Sequence, residues 1–192
     1  MANPLIPRAQ VHAWSEHIAE NLPQHHPSMQ RLLKSQRRLT RFIEENQASM
    51  KPGTVPVSVY MCGVIIRMFD LAGGELRSAT WEEVREAQRR VAGWVDAMLP
   101  LDDGLVDRFH GVAGRAQAHI LDEAAMAMLQ SQRGENEEPI DRAEALKILL
   151  LCCVITEVLD GNWRPSRDFQ GDSSYEYVHI EPRAPEGGGA PA

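Results

Sequence analysis

The chain is poor in the residues that usually announce a chemistry. Only three of its 192 residues are cysteines, Cys62, Cys152 and Cys153, and two of those are adjacent. Neighbouring cysteines bridge only under strain and no CxxC spacing occurs, so neither a disulfide framework nor a zinc cluster is expected. All three sit in apolar stretches and read as small, reduced core residues, which points to a reducing compartment, the cytosol. No run of 18 apolar residues exists, so no membrane span is expected. Met1 to Gln10 carries two prolines and an arginine instead of a secretory apolar segment. The phosphate-binding GxxxxGK[ST], the dinucleotide GxGxxG, the HExxH zinc motif and the GxSxG elbow are all missing. Aromatic residues make up 6% of the chain and do not interleave with its basic residues. Together with a net charge of −7 this argues against nucleic-acid binding.

What is present is apolar mass and uneven charge. Hydrophobic residues are 43% of the total, too many for a disordered chain and enough for one domain with a core. Residues 1–51 hold seven basic against four acidic residues. Residues 52–131 hold seven against eleven, and residues 132–192 six against twelve. The first quarter is therefore locally basic in an acidic chain.

The longest apolar run, Ile148 to Ile155, lies in a segment with helix punctuation. Asp141 can cap its start with Glu144 in the capping-box position, and Gly161 can close its end. A helix over 141–160 that is apolar all round belongs inside a fold. The rest of the chain is expected to pack around it as an all-α bundle of about six helices. A short helix over 8–21 follows a loose start. His25-His26-Pro27 reads as a loop, and Ser28 caps a helix over 28–50. Further helices are expected over 56–72, 80–99 (with Thr80 to Glu83 as a capping box) and 104–132. Residues 1–161 form this helical domain. Residues 162–192 lack helical periodicity and end in a Gly/Pro-rich tail, so they read as an extended arm with one short strand near Tyr175 to Ile180 and a flexible end.

Three groups of residues carry functional expectations. On the helix over 104–132, Asp107 and His110 share a face at i, i+3 beside a line of small residues. With Glu157, an acid inside the core helix, they would form an incomplete helical-bundle metal site for a divalent ion, or an acid–base pair. The commoner reading is a buried histidine hydrogen-bonded to its neighbour. His119 and Asp122 form a second such pair, expected with Arg115 on a solvated strip.

The second group is the basic row Arg31, Lys34, Arg38 and Arg41 on the helix over 28–50, with Phe42 beside it. It can dock an acidic protein surface. The third is the aromatic arm with Tyr175 and Tyr177, anchored either on its own domain or on a partner. No cofactor is expected. The leading expectation is a non-enzymatic, cytoplasmic interaction or regulatory module that binds a protein partner or a second copy of itself as a homodimer. The rivals are the metal-binding bundle and a ligand-sensing domain with a pocket between the helices over 56–72, 104–132 and 141–160.

Overall fold

The computed structural model describes residues 3–129, 140–172 and 175, and it is all-α. Its helices are α1 (Arg8–Glu20), α2 (Leu22–Ser35), α3 (Arg37–Gln47), α4 (Val55–Ala72), α5 (Trp81–Ala92), α6 (Val95–Met98), α7 (Leu105–His110), α8 (Ala118–Leu129) and α9 (Arg142–Asn162). Two two-residue strands, β1 (Glu75–Leu76) and β2 (Trp163–Arg164), pair antiparallel.

The apolar rod is α9, and it is central: α3, α4, α5 and α8 all pack on it. The Asp141 side chain accepts from the Glu144 amide and starts the helix. From Ile148 to Ile155 every residue except Leu150 is buried. Leu150 is half-buried, because it borders a cleft described below. Gly161 does not end the helix. The chain continues helical to Asn162 and turns extended at Trp163, which pairs with Leu76.

α4 and α9 run parallel and in register. Lys51 pairs with Asp141, Thr54 Oγ1 donates to Glu144 (2.8 Å), and Trp163 Nε1 donates to the Gly73 carbonyl (2.7 Å), each contact joining residues 90 apart. The β1–β2 ladder ties the far ends. Gly74 sits at φ +84°, and a Cβ there would lie 2.3 Å from the Arg164 carbonyl oxygen, so only glycine permits this approach. α4 is the one described helix long and apolar enough, by length and composition, to cross a bilayer, with mean hydropathy 1.6 over 18 residues. Most of that helix is buried against the bundle.

Three expected helices are each two. The segment 28–50 begins earlier, at Leu22, because Pro23 fits the first turn, where a missing N–H leaves nothing unpaired. His25-His26-Pro27 is thereby helical, not a loop. The helix then breaks at Gln36, whose backbone leaves the helical region and whose buried amide bonds the Arg77 carbonyl and the Ala79 N–H, both at 3.0 Å. The segment 80–99 starts with the expected Thr80–Glu83 capping box but stops at Ala92, before Gly93. The segment 104–132 breaks across 111–117, where Gly114 (φ +74°) and Gln117 (φ 44°) take left-handed backbone.

The start of the chain is also tied down, contrary to the expectation of a loose end. Leu5 and Asp172 exchange backbone hydrogen bonds (3.1 and 2.9 Å), Ile6 is fully buried, and the Gln117 side chain bonds the Ile6 N–H and the Pro4 carbonyl.

Candidate functional site

The expected trio of Asp107, His110 and Glu157 is not assembled. Asp107 is exposed on α7, while His110 on the same short helix is buried. Glu157 is buried and its carboxylate is already engaged, accepting from Arg90 Nη1 (2.5 Å) and from the Ala116 amide (2.7 Å). Glu157 thus pins the 111–117 turn to α9 and α5. Among the described residues, no group of three His, Cys, Asp or Glu is arranged to hold a metal.

The strip expected to be solvated is buried: Arg115, His119 and Asp122 all lie inside the fold. Once the helix breaks at Gly111, Arg115 turns inward. It donates to Asp122 (2.7 Å), to the His110 carbonyl (3.1 Å) and to the Val112 carbonyl (3.1 Å), with its guanidinium 4.7 Å above the Phe109 ring. Tyr175 closes the cluster: its hydroxyl donates to Asp122 (2.7 Å) and accepts from Arg115 (3.1 Å). The Tyr175 ring packs 5.6 Å from that of His119, whose Nδ1 meets the Ile6 carbonyl at 3.0 Å.

Burial holds His110 below its ordinary pKa, partly offset by Asp122 at 3.4 Å. Burial and the bond to Asp122 push the Tyr175 phenol up to about 12. Tyr175 therefore clasps the arm to its own domain. Tyr177 and the expected strand beyond it lie outside the described residues. Such a network, with its members bonded to one another, rigidifies a core.

The feature with room for another molecule is elsewhere. α3, α5 and α9 meet around an open cleft of about 220 Å³, floored by Phe42, Val91, Leu150, Leu151 and Val154 and rimmed by Asn46, Gln88 and Lys147. It continues along α3 and α5 into a shallower, more polar trough of about 480 Å³ lined by Trp81, Val84, Arg85 and Glu45. The two share Phe42, Asn46, Ser49 and Gln88, so they form one groove. The groove does not lie between α4, α8 and α9, as the ligand-sensing reading expects; α4 and α8 each pack on α9.

The break at Gln36 also reorganises the basic row. Arg31 and Lys34 belong to α2, Arg38 and Arg41 to α3, and all four are exposed. Because α3 starts in a new register, Phe42 turns inward with Leu39 and Ile43 and becomes groove floor instead of surface. Arg38 and Arg41 each stand 5.9 Å from the Trp81 ring, at the trough end of the groove. Lys34 and Arg41 also border a separate basic hollow with Arg37.

The cysteines are free and buried. Burial raises the thiols of Cys62 and Cys153 well above their ordinary range, so these two are packing residues and poor nucleophiles. Comparison with known proteins gives no match to a family model, a curated sequence or a solved structure.

Proposed function

We propose that this chain is a non-enzymatic binding module that receives an apolar segment of a partner protein in the groove between α3, α5 and α9. One observation carries the reading. In a core run that is otherwise fully enclosed, Leu150 alone is left half-open, and it faces a concavity whose other walls are Phe42, Val91, Leu151 and Val154. A lone exposed leucine means little, but a concave apolar surface with a polar rim is the usual form of a binding groove.

The apolar end holds about 220 Å³ and the polar trough about 480 Å³, so the groove is extended along α3 and α5 and its apolar part is the smaller one. An open groove of this kind suits an amphipathic helix that inserts one or two anchors and lies along α3 and α5. The partner is a second protein or, if the chain is a homodimer, a second copy. The buried free thiols are consistent with work in a reducing compartment such as the cytoplasm.

Display of random peptides on the full-length protein tests this. Selected peptides should carry apolar anchors at helical spacing. Their binding should fall at least tenfold in Leu150→Glu and, independently, in Gln88→Trp, which fills the groove from its exposed rim without touching the core. Peptides that bind wild type and both folded variants equally would overturn the reading, and so would a failure to select any binder.

A further inference from the structure

From the placement of charge around this groove, we infer that its partner is an acidic amphipathic helix whose carboxylates lie at the Trp81 end. The inference rests on the groove reading above and adds the chemistry of the occupant. The chain as a whole carries −7, so an unbiased surface would repel an acidic segment. The trough end is locally the opposite. Arg85 lines it, and Arg38 and Arg41 hold their guanidinium groups 5.9 Å from the ring of Trp81, which lines it too. The one carboxylate among the trough's lining residues is Glu45, and it is already bonded to Arg41 Nε at 2.9 Å. With Arg41 and Glu45 paired to each other, Arg38 and Arg85 are the cations left over among these four charged groups.

At the other end of the groove the rim lysine, Lys147, is satisfied within the fold. It donates to Glu144 (2.6 Å) and to the Ser49 carbonyl (2.9 Å). Cationic attraction is therefore concentrated at the trough, while the apolar end offers only packing. A helix laid along the groove is read in two parts: one or two large apolar residues over Leu150 and Val154, and Asp or Glu one to two turns away, beside Arg38 and Arg85. Arg38 serves this role well because a guanidinium held against an aromatic face keeps its donors at the edge for a carboxylate. Charge of this kind sets orientation and association rate more than it sets total affinity, so it fixes which way round the helix lies.

Two fluorescein-labelled 18-residue peptides decide the matter. Both carry leucines at i, i+3, i+4 and i+7; the polar face of one is glutamate and of the other lysine. Anisotropy titration of the full-length protein at low salt should show the glutamate peptide binding at least tenfold tighter. That preference should shrink as salt rises, since exposed charges are screened beyond about 10 Å at 0.1 M. It should also reverse in Arg38→Glu/Arg85→Glu. If the two peptides bind equally, and both are lost in Leu150→Glu, the groove stands and the acidic partner is overturned. If neither peptide binds, the groove reading falls with it.

Discussion

Leu149 and Leu150 are neighbours on α9 with the same side chain, and they should behave very differently when shortened. Leu149 is fully enclosed within the bundle. Shortening it to alanine removes about three methylene equivalents of buried surface, worth roughly 0.8 kcal/mol each. It also leaves a hole that rigid helices on several sides cannot fill. Enclosed leucines of this kind lose about 2.7–5 kcal/mol, with the larger values where the cavity persists. Leu149→Ala is therefore expected to cost about 3–5 kcal/mol. In a chain of this length each kcal/mol moves the melting midpoint by roughly 2–4 °C, so the midpoint should fall by about 6–20 °C.

Leu150 is half-buried and borders an open cleft, so water enters the space its side chain vacates and no enclosed cavity is left. Only part of the transfer energy is lost, about 1 kcal/mol, or roughly 2–4 °C. Thermal and urea unfolding followed by circular dichroism would separate the two, with unchanged denaturant slopes confirming that both variants unfold from the same compact state. Equal losses at both positions would show that the cleft is closed in solution, and the binding groove would be refuted along with the stability argument.

Three further outcomes follow from the same geometry. Glu144 is bonded by Lys147, the Lys51 amide and Thr54, which together lower its pKa from 4.5 to about 2; its stabilising share is complete above pH 4.5 and is lost as pH falls toward 2. Melting curves between pH 5 and 2.5 should therefore fall more steeply for wild type than for Glu144→Gln, and parallel curves would refute the assignment. Arg90→Ala leaves the Glu157 carboxylate with the Ala116 amide as its remaining partner and should cost about 1–3 kcal/mol, while adding Glu157→Gln should recover part of that loss; no recovery in the double variant would mean that Arg90 acts through packing alone. Tyr175→Phe should remove a high-pH component of an alkaline ultraviolet absorbance titration, because the phenol is raised from 10 to about 12 by burial and its bond to Asp122; an unchanged titration curve would show that the arm is not clasped in solution.

The α9 rod was legible because an element that is apolar on every side has only one place to go, and the Thr80 and Asp141 caps were legible because capping is local chemistry. The breaks at Gln36 and at 111–117 were not legible. Gln36 is an ordinary helix former, and it leaves the helix because its amide satisfies a backbone carbonyl and amide on a segment some forty residues away. Gly111 and Gly114 stood in the sequence as breaker signals, but their spacing with Ala118 equally suits close helix packing, and nothing local separates the two uses. Both breaks change register, so errors in the helix boundaries became errors about faces. Phe42 moved from surface to floor, and Arg115, His119 and Asp122 moved from water to core.

The same breaks account for where the proposed groove lies. The turn at 111–117 carries Arg115 into contact with Asp122 and Tyr175, and Glu157 closes over the Ala116 amide, so Glu157, one of the three groups expected to hold a metal, is consumed in holding the bundle together. The break at Gln36 does the reverse. It swings α3 so that Phe42 faces α5 and α9, and side chains that a continuous helix would have turned elsewhere line an open trough. A close-packed core has few reasons to leave an open concavity beside Val91, Leu151 and Val154. At its far end Trp81 packs on the edge of the core, while Arg38 and Arg41 stand exposed beside its ring. The groove is thus the place where packing alone does not explain the geometry, and a partner's apolar anchor is the simplest thing that would.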